Sequence, residues 1–205
     1  MKLMTTLVVS VGVSLAVAAC TPVGVVVGSG AVVTRSVLQE RTTGQALTDL
    51  EIEVSIQNRL GNHSGELFRD VSVDVHEGRV VLTGSVPVRD HQIVATRNAW
   101  EVPGVREVSD ELTVQEDSGT AAYLNDVWIS NQVRYHLLTD LDVRSVNFNV
   151  TTVDNIVHIT GLARSSSELQ TVTGYAAGVR GVERVINHAL IIDDQRRIDA
   201  LAKAT

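Results

Sequence analysis

The sequence predicts an α+β protein of two tandem domains, each built α-β-β-α-β, with a three-stranded mixed sheet covered by two helices on one face. Three observations predict it. First, the chain repeats itself without a gap: Val80-Val81-Leu82-Thr83-Gly84 returns as Val157-His158-Ile159-Thr160-Gly161, and 161 − 84 = 77. The same offset pairs Leu60 with Leu137, Val73 with Val150, Ala99 with Ala176, Gly104 with Gly181 and Val108 with Val185. Second, apolar spacing within each copy runs at every fourth residue, then every second, which marks helix and then strand. Third, aromatic residues are 3% of the 205, so each core is assembled from Val, Ile, Leu and Ala. A unit of roughly seventy residues has the size of a small domain rather than of a solenoid repeat.

Residues 1–19 read as an export signal. Lys2 supplies a positive start, and Leu3 to Ala19 is apolar and ends in small residues. That run is shorter than the roughly 20 clean apolar residues of a spanning helix. Val17-Ala18-Ala19-Cys20 has the pattern of a bacterial lipobox, in which the Cys thiol receives diacylglycerol and becomes the mature N-terminus. Cys20 is the one cysteine in the chain, so neither an internal disulfide nor a CxxC site is available. Thr21 in place of Asp leans towards the outer membrane. Residues 20–46 read as the lipidated Cys and a flexible Val/Gly-rich tether. Gly28-x-Gly30 lacks the third Gly and the Gly-Lys-Ser/Thr of a phosphate loop.

The first domain spans 47–116. Asp49 reads as a helix N-cap, and Ile52, Ile56 and Leu60 make one apolar stripe. Val71, Val73 and Val75 alternate with Ser72 and Asp74, a half-buried strand. Glu77-Gly78 turns it into a second strand carrying Val80 and Leu82. Asp90 reads as the cap of the second helix, with Ile93 or Val94, Ala99 and Val102 inward. Pro103-Gly104 stops that helix, and Val105 to Val114 is a third strand. The strands before and after the second helix need a crossover, so a parallel pair lies beside an antiparallel hairpin.

Residues 117–123 read as a linker. The second domain, 124–193, repeats the order with Ile129, Val133 and Leu137, a turn at Asp154-Asn155, and the capping box Ser165-x-x-Glu168. Val182 to Ile192 reads as the last strand. Residues 194–205 form a charged tail, with a short helix carrying Ile198, Leu201 and Ala202. Gly84 and Gly161 sit where strands leave the sheet, so their role is in the fold rather than in binding.

Charge and motifs narrow the function. The net charge of −7 argues against nucleic acid as the main partner. Residues 47–116 hold 6 basic and 13 acidic side chains (6 − 13 = −7), and residues 124–193 hold 5 and 7 (5 − 7 = −2). The second domain is therefore the better placed to approach an anionic surface. His63, His76, His91, His136, His158 and His188 show no metal-ligand spacing, so neither metal nor cofactor is expected. His158, between Val157 and Ile159, faces the other side of its strand and reads as structural or solvent-facing. No Gly-x-Ser-x-Gly elbow is present, and Ser165 to Ser167 reads as a helix cap. The protein is not expected to be an enzyme.

The hydrophobic-Thr-Gly strands at 80–84 and 157–161, with Gly104-Val105-Arg106-Glu107-Val108 and Gly181-Val182-Glu183-Arg184-Val185, resemble the BON domain. Two such domains behind a lipobox resemble the dual BON-domain outer-membrane lipoproteins. The resemblance covers residues 1–20 and 47–193. It implies a lipid-anchored protein on the periplasmic face of the outer membrane that binds anionic phospholipid through its second BON domain. It further implies a part in envelope integrity, with links to division sites and barrel assembly. The alternative it carries is a periplasmic protein-interaction or chaperone-like module acting on envelope proteins such as the barrel-assembly machinery.

Trp128 is where the two copies differ most, since its counterpart is Glu51. It lies about 100° round the helix from Ile129. Leu124, Trp128 and Tyr135 fall on one neighbouring face, with Arg134 close by. Two readings stay open. This face packs against the first domain or the linker, or it is an interfacial anchor for phosphatidylglycerol or cardiolipin, with Arg134, Arg144 and Arg164 adding attraction.

Overall fold

The computed structural model describes residues 43–115 and 119–202. Cys20, the export signal and residues 21–42 lie outside the described residues. The first unit runs α1 (Thr43–His63), α2 (Gly65–Asp70), β1 (Val71–His76), β2 (Arg79–Val86), α3 (Arg89–Trp100) and β3 (Glu107–Val114). The second runs α4 (Gly119–Thr139), a 3-10 turn (Ser145–Asn147), β4 (Phe148–Val153), β5 (Ile156–Ala163), α5 (Ser166–Gly178), β6 (Arg184–Asn187) and β7 (Leu190–Ile191). The tail adds α6 (Gln195–Ala202). Four residues assigned to the tether, 43–46, and most of the expected linker are helical.

Both sheets are mixed. β1 and β2 are antiparallel, and β2 and β3 are parallel with Arg79 opposite Glu107. In the second unit β5 pairs in parallel with β6 and then with β7, at one constant register: Ile156 faces Arg184 and Leu162 faces Leu190. β6 and β7 are thus one strand, expected as 182–192, that is interrupted at His188. There the His188 N–H still donates to the Ile159 carbonyl at 2.8 Å.

One face of each sheet carries the helices. Ile52, Ile56 and Leu60 of α1 and Val94, Ala95 and Ala99 of α3 close over Val71, Val73, Val80 and Leu82. Ile129, Val133 and Leu137 of α4 do the same over Val150, Val157 and Ile159, with Val172 and Ala176 of α5. Each fully buried aliphatic side chain stabilises the fold by about 1.5–3 kcal/mol, which is how a core nearly free of aromatics suffices.

Two local readings are corrected, and one open choice is resolved. Asp49 is not a cap. It lies inside α1 at 3% exposure, and its carboxylate accepts from the N–H groups of Glu77 (2.8 Å) and Gly78 (2.9 Å). Asp126, 77 residues on (126 − 49 = 77), accepts in the same way from Asp154 and Asn155, both at 2.9 Å. The turn residues hold positive φ, 53° at Glu77 and 74° at Gly78, which points both N–H groups at the helix. An Asp in each first helix therefore latches it to its own hairpin. Asp90 is not a cap either: Val88 holds that place, and Asp90 sits in the first turn, where its charge complements the helix N-terminus. Of Ile93 and Val94, Val94 is inward and Ile93 is exposed.

The other faces of the two sheets pack on each other, β2 against β4 and β1 against β5. By the repeat, β1 corresponds to β4 and β2 to β5, so the contacts are reciprocal, as in an isologous dimer. Val81, Thr83, His158, Thr160 and Leu162 are buried on these faces. Thr113 Oγ1 and Gln115 Nε2 donate to the Asp154 carboxylate at 3.1 and 2.7 Å, and Asn149 donates to Asp74. Arg197 of α6 closes the seam with an ion pair to Glu77 at 2.7 Å. His158 is thus structural rather than solvent-facing. Burial, with His188 and Arg184 nearby, pushes its pKa down to about 4, so the ring is neutral.

Candidate functional site

The residues singled out from sequence lie on α4, opposite its core-facing side. Ile129, Val133 and Leu137 point inward, and Ser130 Oγ donates to Thr152 Oγ1 at 2.8 Å. At about 100° per residue, Leu124, Val127, Trp128, Asn131, Tyr135 and Leu138 share an arc on the far side. The structure leaves Leu124, Trp128 and Tyr135 at 59%, 45% and 61% exposure. Leu138 (70%), in the last turn of α4, and Leu141 (99%), in the loop that follows, are exposed as well and were not expected from sequence. The signal that finds them is the repeat: their counterparts in the first copy are Gly61 and Ser64.

The ridge contains no charged residue, and its C-terminal end is held by rings. His136 stacks on Tyr175 (centroids 5.4 Å apart, 9° between planes) and meets Tyr135 edge-on at 5.9 Å. The Tyr175 hydroxyl donates to Asp140 at 2.8 Å. That bond holds the Asp140 carboxyl below its ordinary range and raises the Tyr175 phenol.

The arginines are arranged differently from the sequence reading. Arg134 turns away from the ridge: its guanidinium donates to the Val150 carbonyl of β4 and to Asn131 Oδ1 at 3.4 Å. Burial lowers its pKa, and the charge of Asp74 opposes that. Arg164 is tied to Glu168 at 2.9 Å. Glu168 is 6% exposed, and it also accepts from the N–H groups of Arg144 (2.7 Å) and Arg164 (2.6 Å). Burial alone raises the Glu168 carboxyl, but these donors outweigh it and hold it below the ordinary range. Ser165 Oγ accepts from the Glu168 N–H at 3.2 Å, one half of the expected capping box, while the Glu168 carboxylate accepts from the N–H of Arg164 and not from that of Ser165. Arg144 itself is exposed three residues beyond Leu141.

Such an arrangement can present an uncharged, aromatic-bearing face to an apolar or interfacial partner. Among the described residues no helix is long and apolar enough to cross a membrane.

Two units of this topology, each with its hydrophobic-Thr-Gly strand, define the class: the chain belongs to the BON domain family, which matches residues 48–116 and 125–193. The chain is 35% identical to an uncharacterized protein of the gshII 5' region of Anaplasma centrale over 143 residues, 69% of this chain and 93% of that one. It is 30% identical to the outer membrane lipoprotein DolP of Haemophilus influenzae over 166 residues, 80% of this chain and 85% of that one. A 21 kDa hemolysin of Actinobacillus pleuropneumoniae is 26% identical over 148 residues, 71% of this chain and 75% of that one.

Proposed function

We propose that the protein is an outer-membrane lipoprotein facing the periplasm, anchored through acylated Cys20, that binds anionic phospholipid with α4 and supports envelope integrity. The observation that carries the lipid reading is the uncharged ridge from Leu124 to Leu138, exposed along the outer side of α4. On α1 the counterparts include Leu50, Glu51, Val54, Asn58 and Gly61, so the charge of Glu51 stands where Trp128 does. The Haemophilus influenzae relative is an outer membrane lipoprotein by name, which supports that location. Trp and Tyr rings favour the headgroup layer, where one end of the ring is apolar and the other wet. Because Arg134 and Arg164 are engaged within the fold, apolar insertion supplies most of the affinity. Arg144 adds about 1 kcal/mol at an anionic surface.

The test compares vesicles of phosphatidylglycerol or cardiolipin with vesicles of phosphatidylcholine. The chain should float with the anionic vesicles, and its Trp emission should shift to the blue. Trp128→Phe should abolish the shift, since Trp100 is then the only indole. Trp128→Glu should lose binding and keep the parent's melting curve. If Trp128→Glu binds the anionic vesicles as the parent does, α4 is not the lipid face, and its ridge is left for a protein partner such as the barrel-assembly machinery. The mass of the mature N-terminus tests the anchor: absence of acyl chains on Cys20 refutes it.

A further inference from the structure

The seam between the two sheets gathers three side chains that sequence spacing kept apart: Glu111 of β3, His158 of β5 and His188 between β6 and β7. Their ligating atoms all lie within 4.8 Å of one another. His158 is 3% exposed, and its Nδ1 has no hydrogen-bond partner. His188 Nε2 is also buried without a hydrogen bond, although it stands 3.5 Å from Glu111 Oε1. The two imidazoles lie parallel, with centroids 6.0 Å apart. The Thr83 and Thr160 hydroxyls are buried without a partner on the same faces, but a ring nitrogen that lies beside other ligating atoms and bonds to none of them is the group a cation would satisfy.

We propose that Glu111, His158 and His188 form a binding site for a divalent transition cation of the zinc type, closed only when the two domains are packed. Two imidazoles and one carboxylate are a recurrent zinc donor set that leaves the fourth position to water. Bonds of 2.0–2.2 Å at tetrahedral angles put donors roughly 3.3–3.6 Å apart. The His188–Glu111 pair already stands at 3.5 Å, and the His158 donor lies within 4.8 Å of both. The nearby Arg79 charge is offset by Glu107 at 2.9 Å, so the site keeps the Glu111 anion for the metal. The repeat explains the placement. Glu111 and His188 occupy equivalent positions (188 − 111 = 77), and reciprocal packing brings equivalent positions face to face. The counterpart of His158 is Val81, so the seam holds one such site and not a symmetric pair. A cation held by one ligand from the first domain and two from the second staples them together.

The test titrates the full chain, in detergent and freed of metal by chelator, with Zn2+ alone by calorimetry, and with Co2+ for the visible absorption of a tetrahedral ion. One Zn2+ per chain should bind, with a rise in melting temperature. Glu111→Gln and His188→Gln should each weaken binding at least about tenfold. His158→Val, which installs the first copy's own residue, should do the same and keep the metal-free melting curve. His136→Gln, on α4 away from the seam, should bind as the parent does. Absence of stoichiometric Zn2+ binding, or parental affinity in both His188→Gln and His158→Val, overturns the proposal.

Discussion

Gly161→Ala tests how the hairpins are built. Gly161 holds φ at +134°, a conformation L side chains rarely adopt. A Cβ there would stand 2.0 Å from the Asn147 carbonyl oxygen and 3.0 Å from Phe148 Cα. Those atoms are backbone, so no side-chain rotation relieves the contact. Either the glycine abandons its dihedral, which costs about 1–3 kcal/mol, or the β4–β5 ladder opens where Phe148 faces Gly161. Opening it forfeits one or two hydrogen bonds at about 0.5–1.5 kcal/mol each. By either route the change should cost about 1–3 kcal/mol, a large share of the ~5–15 kcal/mol that holds such a fold. Urea unfolding followed by circular dichroism measures it, with Gly174→Ala as control. Gly174 lies in α5 and a Cβ there meets nothing within 4 Å, so that change should stabilise by about 0.5–1 kcal/mol. Gly84→Ala should behave like Gly161→Ala, because its Cβ would lie 2.0 Å from the Asp70 oxygen. A loss under about 1 kcal/mol for Gly161→Ala refutes the reasoning.

Asp126→Ala removes the acceptor for two turn N–H groups and should cost about 2–4 kcal/mol in the same assay, with Asp126→Asn intermediate. Parental stability in Asp126→Ala would mean that the latch is ornamental. Glu168 gives a pH signature. Its carboxyl titrates below the ordinary value of 4.5 when folded, so its stabilisation is complete above the unfolded value and fades as pH falls through the folded one. The stability gap between the parent and Glu168→Gln should therefore be flat above about pH 5 and narrow below about pH 4. A gap that stays constant down to about pH 3 removes the ion-pair account.

Much of this architecture was legible because its causes are local. The stripes Ile52-Ile56-Leu60 and Ile129-Val133-Leu137 advance at the helical period, and the valines of β1 alternate. Neither pattern needs knowledge of what packs on it. The misreadings of Asp49, Arg134 and His158 share another cause, which is that a residue's partner lay far along the chain. Asp49 reads as a cap because an Asp before an apolar stripe usually is one, and its true partners, the N–H groups of Glu77 and Gly78, are 28 and 29 residues away. Only its recurrence as Asp126 marks it as more than a cap. Arg134 reads as a membrane-facing charge from its neighbours on the helix, yet the Val150 carbonyl on β4 captures it. His158 was placed on the outer face of β5 correctly, but polar outer faces read as wet. Nothing local says that a second sheet covers this one.

That covering decides where the protein can meet its surroundings. Once the two sheets use their outer faces on each other, the order of layers is helices, sheet, sheet, helices, and the broad surfaces left are helical. Two of those surfaces begin as equivalents, the outer sides of α1 and α4. On α1, Gly61 lies beneath Phe68 of α2, an element with only a 3-10 turn in its place in the second unit, so the two sides have diverged in shape as well as in charge. On α4 no described element is laid over the corresponding end, and Leu138 and Leu141 stand open there. Apolar side chains left uncovered along about four turns of helix cost solubility in a free protein and cost little in one tethered beside a bilayer. The Glu111–His158–His188 cluster lies on the other side of the second sheet from this ridge. On the proposals above, a cation there would leave the ridge itself unchanged and act on how firmly the first domain holds the second.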